Sequence, residues 1–225
     1  MPSERPALID RFGRHVTYVR LSVTDRCDFR CVYCMAEEMT FLPRAQVLTL
    51  EEIARLGRCF TELGVTKLRV TGGEPLVRRD LMTLFDALGP LPGLKDLTLT
   101  TNGTQLPRFA ERLKAAGVTR VNISLDSLKP ERFRAITRKG DLAHVLAGVE
   151  AARAAGFERI KLNAVILKHR NHDEVADLAQ FALKRDLDIA FIEEMPLGTI
   201  GEHDRAEAFY PSEQIRADLA EHFEL

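Results

Sequence analysis

Cys27, Cys31 and Cys34 follow the spacing Cys-x3-Cys-x2-Cys. Three thiols in so short a loop can converge on one metal centre, because thiolates suit both zinc and iron–sulfur clusters. A closed structural zinc site takes four ligands, usually as two spaced pairs. The fourth cysteine, Cys59, lies beside Phe60 in a helical stretch and reads as a buried thiol packed in the core. The nearest downstream histidine is His144, too far along the chain for a local zinc module. Three cysteines on a four-iron cluster leave one iron open. An open coordination position is what a catalytic metal site requires.

These residues need elements to position them. The sequence alternates short β-rich runs with longer helical patterns. Strands are expected at 15–24, 67–71, 96–101, 120–125, 159–167 and 188–195. Helices are expected at about 49–64, 79–88, 107–116, 130–137, 142–155, 172–184 and 212–222. The first helix opens with a capping-box signature, Thr49 with Glu52 three residues on, and stops at Gly64. Strand and helix repeat about six times, so the strands are parallel with right-handed crossovers. They are rich in Val, Ile and Leu, as buried parallel strands are. An open doubly wound sheet and a barrel both fit. A full eight-unit barrel needs ~250 residues. A chain of 225 residues with six units suits a partial (β/α)6 TIM-like barrel, class α/β. The expected organisation is a single domain over 1–225, with barrel strands in about 15–195 and a loop and final helix in 196–225.

Polar residues gather in or just after the C-terminal halves of the strands. They are Thr24-Asp25-Arg26, Thr71 to Glu74, Thr100 to Gly103, Ser124 to Ser127, Asn163, and Glu193 to Met195. Singly, each also reads as a turn residue or helix cap. Together they mark the edge that carries the site in parallel α/β folds.

Composition excludes other classes. Apolar residues make up 45% and charged residues 29%, ordinary for a soluble globular protein. A net charge of -1 gives no ground for nucleic-acid binding. No run of eighteen apolar residues suggests a membrane span, and residues 1–14 do not resemble a signal peptide. A cytoplasmic location is the expectation, with no disulfide framework.

The cysteine spacing, with aromatic Tyr33 before the last cysteine, resembles the signature of the radical S-adenosylmethionine (SAM) superfamily. The stretch from Leu21 to Met35 resembles the GTP 3′,8-cyclase family within it. So do Arg69-Val-Thr-Gly-Gly-Glu-Pro75, Thr100 to Gly103, Asn122 to Ser127 and Phe191 to Met195, in order along the chain. The resemblance implies a radical SAM core holding a 4Fe-4S cluster on Cys27, Cys31 and Cys34. SAM chelates the open iron, and an electron from an external donor cleaves it to a 5′-deoxyadenosyl radical. That radical takes hydrogen from C3′ of GTP, and the ribose radical bonds to C8. The product, (8S)-3′,8-cyclo-7,8-dihydroguanosine 5′-triphosphate, belongs to molybdenum cofactor biosynthesis, and the enzyme is a lyase.

The resemblance also implies residue roles. Tyr33, Gly72, Gly73, Glu74, Ser124 and Met195 match positions that meet SAM. Arg20, Arg69, Thr100 and Lys161 match positions that contact GTP. Lys67 joins them because it alternates with Arg69 on one strand face. A triphosphate needs several cations, and Arg and Lys on inward-facing strands supply them. Ala190 departs from the family, where many relatives carry a base. Family chains commonly run past the position of Leu225 and hold a second cluster on three further cysteines; no second cysteine cluster occurs in this sequence. A fragment or truncated form with one cluster is expected, the alternative being a member that works without the second. Other readings are a radical SAM enzyme acting on another small molecule or peptide, and a truncated non-catalytic metal-binding domain. A homodimer is left open.

Overall fold

The first five strands each carry two faces of largely opposite character. The computed structural model describes residues 7–196 and 203–225. Strands β1 (Tyr18–Ser22), β2 (Lys67–Thr71), β3 (Asp96–Thr101), β4 (Arg120–Ser124), β5 (Arg159–Ile166) and β6 (Asp188–Glu193) form one parallel sheet in chain order. Among the described residues β1 does not pair with β6. The sheet is therefore an open, partial barrel.

Helices α1 (Leu50–Glu62), α2 (Leu81–Leu88), α3 (Leu106–Ala115), α4 (Pro130–Thr137), α5 (Leu142–Ala154) and α6 (Val175–Leu183) fill the crossovers. After β6 come α7 (Arg205–Ala208) and α8 (Ser212–Ala220). The capping box forms as expected: Thr49 Oγ1 accepts the Glu52 N–H, and Glu52 accepts the Thr49 N–H at 2.7 Å. The last strand and helix are shorter than expected, and α7 falls where no helix was foreseen. Asp204 caps it by accepting the N–H groups of Ala206 and Glu207.

The core lies between sheet and helices. Leu68, Val70, Leu97, Leu99, Val121, Ile123 and Leu162 point at it from the strands, met by Ile53, Phe85, Leu113, Val145 and Leu178 from the helices. Full burial of each such side chain is worth about 1.5–3 kcal/mol.

Two expectations need correction. The strands are not buried on both faces. Parallel register aligns Arg20, Arg69, Thr98, Arg120 and Arg159 in one row on the opposite face, and Thr100, Asn122, Lys161 and Asp188 in the next. Most of the Val, Ile and Leu content comes from alternate positions facing the helices, while the positions between them are mostly polar, Val165 and Ile192 being exceptions. Cys59 is exposed rather than buried, because α1 turns Ile53, Gly57 and Thr61 inward instead.

Candidate functional site

The cysteine loop leaves β1 at the C-terminal edge of the sheet and is tied to the exits of three other strands. The first tie is to β2. Gly73 N–H donates to Thr24 O at 2.7 Å, and Glu74 N–H to Arg26 O at 2.8 Å. A Cβ on Gly72 would lie 2.5 Å from Thr24 O, and one on Gly73 2.4 Å from Arg26 O. Gly72 also has φ of +155°. The paired glycines thus let the exit of β2 lie directly on the backbone entering Cys27.

The second tie is to β3. Asp28 accepts from Asn102 Nδ2 at 2.6 Å and from Thr104 Oγ1 at 3.2 Å. Beneath it, Glu74 is buried and accepts from Asn102 N, Thr101 Oγ1 and Leu76 N. Burial pushes the Glu74 carboxyl up to about 7 against the pull of these donors. The third tie is to β4: Tyr33 OH donates to Asp126 Oδ2 at 2.8 Å. Burial likewise raises Asp126 to about 6, while the Val165 N–H and Tyr33 hydroxyl hold it down. Arg30 closes the loop on itself, donating to the carbonyls of Cys27 and Phe29.

The three thiols lie within electrostatic reach of one another. Burial pushes Cys27 up to about 12, with Asp28, Glu74 and Cys34 adding to the rise. Burial raises Cys31 well above the usual thiol range too, helped by Asp126, Cys34 and Cys27. Cys34, more exposed, is raised by burial and then by Asp126. Thiols so placed stay protonated until a positive centre replaces the protons. Among the described residues no three His, Cys, Asp or Glu side chains converge on a single ion. A multi-iron cluster asks less, since each thiolate takes its own iron. Soft sulfur donors in mutual reach suit it.

The polar sheet face carries the residues expected to hold a phosphorylated ligand. Arg69 lies over the Tyr18 ring, 5.3 Å from its centroid. With the Asn122 amide turned so that its oxygen faces Arg69, it accepts from both terminal nitrogens at 3.1 and 3.2 Å. Arg69 Nε and Thr100 Oγ1 are buried with no partner. Arg120 Nε on the same face also lacks a hydrogen bond but lies 3.5 Å from Asp96; buried polar atoms without partners are rare, and the two with no such neighbour mark a place for a ligand. Among the described residues Arg20 and Lys161 have no carboxylate within ion-pair distance. Lys67 differs: its ammonium lies 2.5 Å from Asp96 Oδ2. Asp96 also receives the Thr119 hydroxyl, and Arg120 Nε lies 3.5 Å away. Burial alone would raise Asp96, but Lys67, Thr119 and Arg120 hold it below the usual range.

Ser124 ends β4 at the same edge, half-buried. Met195 follows β6 and is 54% exposed. Glu194 beside it is buried, with His203 Nε2 at 2.9 Å and Arg205 Nε at 3.4 Å. Asp126, Asp28, Asn102 and Arg30 had no role assigned from sequence. Their placement at strand ends was the signal for Asp126 and Asn102. Nothing in the sequence distinguished Asp28 or Arg30 from other loop residues.

Comparison with known proteins places these features in context. A model of the radical SAM superfamily matches residues 21–182. A GTP 3′,8-cyclase from Pseudomonas entomophila is 61% identical over 225 residues, covering 100% of this chain and 67% of that protein. One from Marinobacter nauticus is 62% identical with the same coverage. The chain thus spans about two thirds of the length of these relatives. Among solved structures, Streptococcus suis SuiB bound to S-adenosylmethionine superposes with a TM-score of 0.75 at 16% identity, covering 92% of this chain and 47% of that one. Methylornithine synthase (PylB) gives 0.67 at 14%, covering 92% and 59%. At such identities the structural likeness speaks for the fold.

Proposed function

This chain belongs to the radical SAM superfamily and, within it, to the GTP 3′,8-cyclase family, and from that premise we propose that it performs the family's chemistry on GTP in molybdenum cofactor biosynthesis. When bound, a 4Fe-4S cluster and SAM would supply one-electron cleavage of SAM to a 5′-deoxyadenosyl radical, with the electron from an external donor. Cys27, Cys31 and Cys34 would ligate the cluster. The protein's own part is positioning. Gly72 and Gly73 seat the cysteine loop against β2, and Tyr33, Glu74, Ser124 and Met195 line the edge where SAM would lie.

Arg20, Arg69, Thr100 and Lys161 face the same open side of the sheet. Their cations answer a triphosphate, and Thr100 Oγ1 and Arg69 Nε offer hydrogen-bonding groups that no protein atom takes. The observation that carries the GTP reading is this pair of unpartnered atoms on a cationic face beside the cysteine loop. Lys67 contributes less, because Asp96 already holds it.

Anaerobic reconstitution with iron and sulfide tests the proposal. Expected results are one four-iron cluster per chain, 5′-deoxyadenosine on adding dithionite with SAM, and the cyclised nucleotide when GTP is present. Clustered protein that cleaves SAM but leaves GTP unchanged would limit the chain to SAM cleavage. Protein that binds zinc and stays colourless would overturn the reading.

A further inference from the structure

Asp126 is a carboxylate with no cation to answer it. Its side chain is buried, and among the described residues no Lys, Arg or His lies within ion-pair distance. It is held from three sides. Val165 N–H donates to Oδ1 at 2.9 Å, Tyr33 OH donates to Oδ2 at 2.8 Å, and Asn171 Nδ2 donates to the Asp126 carbonyl at 2.6 Å. Asn171 itself is buried and accepts the Leu167 N–H at 2.7 Å. The carboxylate is thus fixed to the exits of β4 and β5, and it presents one oxygen to the cysteine loop.

The second half of that loop has few other hydrogen-bonded anchors. Only Val32 and Tyr33 separate Cys31 from Cys34. Val32 N–H reaches the Ile136 carbonyl at 2.9 Å, and the N–H groups of Cys34 and Met35 turn back to Cys31 O. Val32 also packs into a small buried cluster with Leu167 and Ala208, and among the described residues the Tyr33 hydroxyl adds a side-chain hydrogen bond from this half to the exit of β4. Burying an unpaired carboxylate is costly, so its presence against Tyr33 of the cysteine loop calls for a role.

We propose that Asp126 is a positioning residue for the cysteine loop. Through Tyr33 it fixes the Cys31–Cys34 half, and its buried negative charge lies one side chain away from the loop that would hold the cluster. This rests on the cluster reading above. A negative charge next to a cluster disfavours adding an electron and lowers its reduction potential, so the reduced cluster is a stronger reductant. Reductive cleavage of SAM needs such a reductant.

The test uses the 225-residue chain as Tyr33→Phe and Asp126→Asn. After anaerobic reconstitution, iron and sulfide are counted and the midpoint potential is read by EPR-monitored titration without SAM or GTP. Asp126→Asn is expected to hold iron at a more positive potential. Tyr33→Phe keeps the charge and is expected to stay closer to wild type in potential. In metal-free protein, Tyr33→Phe is expected to let an alkylating agent reach Cys31 about fivefold faster, the factor for one lost hydrogen bond of about 1 kcal/mol. Unchanged potential in Asp126→Asn, or an unchanged Cys31 alkylation rate in Tyr33→Phe, overturns the respective half of the proposal. Should Asp126→Asn fail to fold, the Tyr33→Phe alkylation rate decides the tether alone. Wild-type protein that never takes up iron would sink the cluster reading, while the alkylation arm would still report on the tether.

Discussion

Glu74 Oε2 accepts the main-chain N–H of Asn102 at 2.6 Å, and this bond joins the turn after β2 to the turn after β3. The same carboxylate accepts from Leu76 N and Thr101 Oγ1 on its other oxygen. Both oxygens therefore face donors. Glu74→Gln would set an NH2 against one N–H and orphan it, at a cost of about 1–3 kcal/mol. Urea denaturation of the metal-free protein at neutral pH should show a lower midpoint with an unchanged slope.

Glu74 also predicts a pH dependence. In the unfolded chain it releases its proton near 4.5; in the fold burial holds the proton to about 7. Between those values the folded state binds more protons, so stability falls as pH rises from about 4.5 to about 7, by on the order of 3 kcal/mol. Asp126 acts with the same sign between 3.8 and about 6. Denaturation across this range should show the decline in wild type and a shallower one in Glu74→Gln. An equal slope in both would show that Glu74 does not titrate there.

Gly73→Ala places a methyl 2.4 Å from Arg26 O, a backbone atom that cannot swing aside. The cysteine loop must shift to admit it. Iron content after reconstitution should fall below half of wild type. Gly93→Ala is the control, since no atom lies within 4 Å of its Cβ position; its φ of +85° makes it lose some stability but no iron.

Cations on the polar face should separate by how they are already paired. Arg69→Ala and Lys161→Ala should each weaken GTP binding about tenfold or more, the loss of one charge-assisted hydrogen bond. Lys67→Ala should change affinity less and stability more, because it takes from Asp96 its nearest cation and leaves only Arg120 and the Thr119 hydroxyl to answer the carboxylate. Calorimetric titration with GTP at two salt concentrations checks this, with the arginine and lysine losses larger at low salt. Equal losses for all three would place Lys67 on the ligand after all.

Cys34→Ser should abolish cluster assembly. Cys59→Ser should retain it, since Cys59 sits exposed on α1, away from the loop. Iron per chain is the measurement.

Much of this was legible in the sequence because local signals agreed with global ones. The bounds of β2, β3 and α4 came out as expected from alternation and from Gly and Pro punctuation. Thr49 and Glu52 announced the start of α1. The cysteine triad was evident from spacing alone. What could not be read were contacts between distant turns. Tyr33 and Asp126 are 93 residues apart, and Asn102 and Asp28 are 74 apart. Nothing in either neighbourhood names the other. Cys59 was misplaced because a cysteine beside a phenylalanine looks apolar, whereas the helix phase sets which side it faces. Close packing of Gly72 and Gly73 on Thr24 and Arg26 is likewise a contact between distant turns that the sequence does not announce.

Alternation along the strands has one more consequence. Positions two apart share a side, so Asn122 and Ser124 can be exchanged for other groups without touching Val121 and Ile123 behind them. Ligand preference can drift by point replacement while the helix-packed side stays fixed. Deleting a single residue inside β4 is a different event: it would turn Asn122 into the oily layer and set Val121 before the ligand, scrambling recognition and packing in one stroke.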